Sequence, residues 1–95
     1  MDNKYYIVRG DRSGVFFGHI AERNGREITL KDVRRLWYWN GAASLSQLAA
    51  EGVKKPRDCK FTMTIDEIVV LDAIEILTCT PEAVKSINEV AVWKM

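Results

Sequence analysis

Asn24-Gly25 stands between two apolar stretches, VFFGHIA (Val15 to Ala21) and EITL (Glu27 to Leu30), and an Asn-Gly pair in that setting predicts an antiparallel hairpin. The flanking charges bear on its register. A two-residue loop at Asn24-Gly25 would set Arg23 against Arg26 and Glu22 against Glu27, two like-charged cross-strand pairs. A three-residue loop, Arg23-Asn24-Gly25, instead pairs Glu22 with Arg26 and Ile20 with Ile28. It also places Gly25 in the left-handed conformation that its missing Cβ permits. This second register is the expected one.

Other stretches read as strands around that hairpin. KYYIVR (residues 4 to 9) is aromatic and β-branched and ends at the turn composition Gly10-Asp11-Arg12-Ser13. After Lys31-Asp32, VRRLWYW (residues 33 to 39) reads as a separate strand. Cys59 to Thr64 is a further strand, and EIVVLDAIEIL (residues 67 to 77) predicts one long strand with a break near Asp72-Ala73. A helix competes there, because Thr64 to Glu67 has the spacing of a capping box. Val90 to Trp93 closes the chain as a short strand.

Two helices have local start signals. Ser44-Leu45-Ser46-Gln47 fits a capping box, with Leu45, Leu48 and Ala49 on one face and Gly52 as the stop. Thr80-Pro81-Glu82 supplies an N-cap, a proline in the first turn and an acid at the positive helix end. Ala83, Val84 and Ile87 then face the core. The expected fold class is α+β: a small, mostly antiparallel sheet of five or six strands with two short helices.

A chain of 95 residues, 47% of them apolar, suits one domain spanning residues 1–95. Domains of this size bury only a little over 60% of their unfolded surface, so oligomerisation is a natural way to bury more. No apolar run approaches the ~20 residues of a membrane span, and MDNKYYIVRG lacks the basic flank and apolar stretch of a signal peptide. A cytoplasmic protein is expected. Cys59 and Cys79 are too few for a disulfide scaffold and lack zinc spacing, which leaves two buried thiols. Residues 1 to 60 carry a net charge of +5 and residues 61 to 95 a net −4. That balance suits an anion on one side or pairing between copies, and disfavours nucleic acid as a partner.

The segment from Arg34 to Gln47 is the candidate site. Strand alternation puts Val33, Arg35, Trp37 and Trp39 on one face and Arg34, Leu36 and Tyr38 on the other, so each face mixes an arginine with rings. An arginine beside an indole suits a ligand with both a planar ring and an anion. Asn40, Gly41, Ala42 and Ala43 then lead into the helix capped by Ser44. Backbone N–H groups at that helix start favour phosphate, and the hydroxyls of Ser44 and Ser46 and the amide of Gln47 add donors. Core or interface packing for Trp37 and Trp39, and an ordinary cap at Ser44, account for the same residues.

Catalytic groups are sparse. His19, the one histidine, sits in an apolar strand and reads as structural. Asp66, Glu67, Asp72 and Glu75 lack an EF-hand spacing and read as exposed strand surface. The expectation is a non-enzymatic protein with no cofactor and no metal.

The run RRLWYWNGAASLSQLAAEGVKKP (residues 34 to 56) resembles a family of small phage and prophage proteins, and the resemblance continues through IEILTCTPEA (residues 74 to 83) to Val92-Trp93. It covers about two-thirds of the chain and rests on an R-R-x-W-x-W-x-G-A-A-S-x-S-Q-L motif. Phage proteins of this size include oligomeric sponges that hold nucleotide second messengers of bacterial immunity without destroying them. The resemblance therefore implies a homo-oligomeric immune-evasion protein of the infected host's cytoplasm, sequestering a cyclic oligonucleotide or cyclic ADP-ribose type of ligand. None of that class's binding residues maps onto this chain position by position. Two alternatives stand beside this expectation. One is an inhibitor that binds a host defence protein through Trp37, Tyr38 and Trp39. The other is a phage structural or housekeeping protein with no small ligand.

Overall fold

The structure, a computed structural model, describes residues 3–95. It has six strands, β1 (Tyr6–Gly10), β2 (Val15–Asn24), β3 (Glu27–Tyr38), β4 (Lys60–Phe61), β5 (Ile65–Val70) and β6 (Ala73–Thr78). The two helices are α1 (Leu45–Glu51) and α2 (Pro81–Asn88), and a single 3-10 turn covers Pro56–Asp58. All strand pairs are antiparallel, in the order β4-β3-β2-β1-β6, and β5 joins the side of β3 that β4 also uses. The expected α+β class holds: one sheet of six antiparallel strands with two short helices.

The sheet carries apolar residues on both faces, and each face has its own core. On one face Ile7, Phe17, Leu36 and Phe61 pack against Leu48 and Ala49 of α1 and Ala83 and Ile87 of α2. On the other, Val8, Phe16, Ile28, Leu30 and Val33 are buried together with Val70 of β5 and Ala73 of β6. β5 and β6 lie at opposite edges of the strand order, yet only Leu71-Asp72 separates them. The sheet therefore curls around the second core, which no helix covers. Asp72 holds this corner. Its carboxylate accepts from the Arg12 and Ser13 N–H groups (2.8 and 3.1 Å) and from the Ser13 hydroxyl (2.5 Å). Its carbonyl accepts from Asp11 N–H.

That anchor corrects the expectation of one long strand from Glu67 to Leu77. The break falls where the sequence places it, but the two halves go to opposite edges of the sheet. The helix that competed for this stretch is absent, since Ile65–Val70 is strand paired with β3. The hairpin register also differs. Asn24 pairs with Glu27, Arg23 with Ile28 and Glu22 with Thr29, so the loop is Gly25-Arg26, with Gly25 at φ 63° as its first central residue. This register avoids both like-charged pairs, and an irregularity at Ala21 still lets Ile20 meet Leu30 in the core. Nor does the chain break at Lys31-Asp32. Asp32 takes φ 49° and forms a bulge, and β3 runs through it for 12 residues. An aspartate tolerates this conformation better than most side chains. At the C-terminal end, Val92 contributes one parallel bridge to Phe61 in place of a strand.

Both helices start where expected, although the Gln47 side chain accepts from Ala43 N–H and not from Ser44 N–H as a capping box requires. The Ser44 hydroxyl accepts from Gln47 N–H and the Thr80 hydroxyl from Ala83 N–H, both at 3.1 Å. The Ser86 hydroxyl accepts from Val53 N–H (2.9 Å) and ties the end of α1 to α2.

Candidate functional site

The aromatic segment at the end of β3 is divided among several environments. Arg34 is only 4% exposed. Its guanidinium donates to the carbonyls of Thr62 (2.9 Å), Ile87 (3.0 Å), Val90 (3.1 Å) and Phe61 (3.2 Å). Burial lowers its pKa from the usual arginine value. These bonds join β3, β4 and the end of α2, so Arg34 is a structural clamp and leaves the candidate ligand set. Arg35 faces the other way, as alternation predicts. It lies 4.6 Å over the Phe16 ring and donates to the Ser13 carbonyl.

Trp37 is 64% exposed and Trp39 packs against the core shared with the helices. They were expected on one face with Arg35. They separate because the β3–β4 register shifts between Leu36 and Tyr38 and the strand ends there. The small residues have a local explanation. Gly41 has φ 88°, its carbonyl accepts from Lys54 N–H, and a Cβ there would stand 2.6 Å from that nitrogen. Its bareness serves a crossing of the chain over itself, and Ala42 packs on the core. Two donors around the start of α1 are used within the chain: Ala43 N–H reaches Gln47 Oε1 (2.7 Å) and Gln47 N–H reaches the Ser44 hydroxyl. Ser46 is exposed on α1. A helix of only seven residues is a poor phosphate site.

Tyr38 and Asn40 do line a cleft, together with Arg57, Asp58, Cys59, Lys60 and Trp93, and its volume is about 500 Å³. Its geometry follows from pairing. Tyr38 lies opposite Lys60 across β3–β4. The Val92 bridge, continued by Trp93 N–H donating to the Phe61 carbonyl (2.9 Å), draws the terminal indole over β4. Lys60 Nζ then stands 5.6 Å from the Trp93 ring centroid, within cation–π range. The floor is set by Cys59, whose buried Sγ accepts from Asn40 N–H (3.4 Å) and lies 3.4 Å from the Lys55 carbonyl. Two cations and one carboxylate leave the lining net positive. Two rings on open walls suit a planar group, and the cations beside them suit its charge.

The sequence reading missed Arg57, Lys60 and Trp93. The basic loop VKKPRD and the terminal Val92-Trp93 were visible as features, yet only long-range pairing joins them to Tyr38. Most of the remaining titratable candidates have partners within the chain, and Asp66 is exposed on β5. His19 Nδ1 is 2.8 Å from the Lys4 carbonyl, and its ring packs on Tyr5. Glu67 pairs with Lys31 and Glu75 with Arg9. Cys79 is buried, and that burial pushes its thiol pKa up to about 12.

Residues 3–87 match a protein family described as a domain of unknown function, DUF6948. The chain belongs to the DUF6948 family. The matched span of this DUF6948 domain includes Tyr38, Arg57 and Lys60 of the cleft and stops short of Trp93. No curated protein and no solved structure matches the chain. No helix among the described residues is long and apolar enough to cross a membrane.

Proposed function

We propose that this protein binds a nucleotide-class ligand, a planar ring carrying phosphate, in the cleft of Tyr38, Arg57, Lys60 and Trp93, and releases it unchanged. The observation that carries this reading is the Lys60 ammonium set over the Trp93 ring inside an open cleft that Arg57 also lines. Stacking of a base on an aromatic ring contributes ~1–3 kcal/mol, and each charge-assisted phosphate contact about 1.5–3 kcal/mol. The lining offers rings and cations for holding a ligand, and its one thiol is buried. The setting we propose is sequestration of a nucleotide second messenger by a phage-encoded protein in the cytoplasm of its bacterial host. The resemblance of residues 34 to 56 to small phage proteins supports that setting.

A thermal-shift screen against cyclic dinucleotides, cyclic trinucleotides and ADP-ribose isomers tests the reading, because a ligand bound only by the folded state raises Tm. The hit should lose at least tenfold in affinity in Lys60→Ala and Trp93→Ala, and chromatography should recover it intact. Retained affinity in both folded variants, or a cleaved product, would overturn the proposal.

Trp37 favours a second reading. An indole 64% exposed and outside the cleft lining is suited to anchoring a protein partner, a host defence protein or another copy of this chain.

A further inference from the structure

We propose that the seam between β6 and the tip of the β2–β3 hairpin docks an extended acidic peptide, which adds to β6 as one more strand. This groove shares no lining residue with the Trp93 cleft and does not depend on it.

Among the described residues β6 pairs only with β1, so its other edge is open. Cys79 N–H bonds the Tyr5 carbonyl (3.0 Å), and Tyr6 pairs with Thr78 and Val8 with Ile76. In an antiparallel ladder that phase turns the N–H and C=O of Ile76 and Thr78 away from β1. The edge is also undefended. AIEILT has neither the lysine nor the proline with which natural edge strands discourage pairing, and Ile74 is half exposed.

The far wall of the groove is the hairpin tip. Ala73 N–H bonds the Arg26 carbonyl (3.0 Å), and beyond that bond the two walls enclose about 340 Å³. Because the groove is walled on both sides, it admits a single strand. A second copy would have to bring its own β6 with its own hairpin tip bonded to Ala73. Charge identifies the occupant. Arg23 and Arg26 are exposed on the wall, and neither is ion-paired among the described residues. Glu75 already faces Arg9 at 3.9 Å. Ile28, Ile74 and Ile76 line the apolar side. Alternating apolar and acidic side chains would satisfy both walls, while main-chain bonds to Ile76 and Thr78 hold the strand.

The test uses a fluorescent hexapeptide alternating valine and glutamate, read by anisotropy and by amide shifts of the labelled protein. Saturable binding is expected, with shifts centred on Ile74, Ile76, Arg23 and Arg26. Affinity should fall at least tenfold for a valine–lysine peptide, for the same acidic peptide N-methylated on its backbone, and for the doubly substituted R23E/R26E protein. The two control peptides use the unaltered protein, so the outcome does not hinge on the variant folding. No binding, equal binding of the lysine or N-methylated peptide, or shifts centred elsewhere would overturn the proposal. A stable dimer whose Ile76 and Thr78 amides resist hydrogen exchange would also overturn it, by assigning the edge to a second copy.

Discussion

The guanidinium of Arg34 lies 5.5 Å over the ring of Phe61 and also donates to the Phe61 carbonyl at 3.2 Å. One side chain thus holds β4 against β3 from two directions, and its other bonds reach the carbonyls of Thr62, Ile87 and Val90. Arg35, its neighbour, turns to Phe16 on the opposite face.

Arg34→Ala would leave the Thr62 and Val90 carbonyls without a donor, while Phe61 keeps the Trp93 N–H and Ile87 the Val90 N–H, and each unsatisfied buried group costs about 1–3 kcal/mol. A loss of roughly 3 kcal/mol or more is expected in urea denaturation. Arg34→Lys should recover only part of it, because an ammonium cannot reproduce the planar fork. A folded Arg34→Ala protein of unchanged stability would contradict the clamp.

The two tryptophans of β3 and its exit should respond differently. Trp37→Ala removes an exposed ring and should change stability by no more than about 0.5 kcal/mol. Trp39 packs on the core shared with the helices, and Trp39→Ala should cost about 2 kcal/mol, less than a fully buried ring. Equal effects in denaturant titrations would mean that the face assignment is wrong.

Two glycines with positive φ form a matched pair. Gly25→Ala meets no atom within 4 Å and should cost only the ~1–2 kcal/mol of a left-handed alanine. Gly41→Ala carries the same strain and also drives a Cβ to 2.6 Å from Lys54 N, so it should destabilise more. Denaturation midpoints of the two variants provide the comparison, and a larger loss at Gly25 would refute the crossing at Gly41.

Asp72 links the corner of the sheet to pH. The Ser13 hydroxyl and the Arg12 and Ser13 N–H groups bond its ionised form and hold its pKa below the ordinary 3.8. A carboxyl depressed on folding contributes stability above its unfolded pKa, and that stability is lost as pH falls through the folded value. Wild type should therefore weaken as pH drops below about 3.8, and Asp72→Asn should be less stable near neutrality with a flatter acid profile. Thermal melts from pH 2 to 7 measure both, and superimposable profiles would exclude the linkage.

The local signals in the chain were legible because they act over a few residues. Ser44 and Thr80 cap their helices with their own hydroxyls, and the turn at Gly25 and the corner at Asp72 lie where the composition changes. Arg34 and Arg35 fall on opposite faces because alternation is a property of the strand itself. The loop length at Gly25 and the continuity of β3 through Asp32 were not legible, because a bulge depends on which partner residues must meet in the core. Neither was the parting of β5 and β6 to opposite edges, which needs the Arg12-Ser13 turn to capture the Asp72 carboxylate. The cleft shows the same division. Tyr38 and Asn40 were readable as candidates, but Lys60 and Trp93 are far from them along the chain and from one another, and reach them only through the β3–β4 register and the Val92 bridge. Side-chain periodicity specifies the face a residue occupies; which residues share that face from across the chain is a matter of long-range pairing and packing, which no short window of sequence contains.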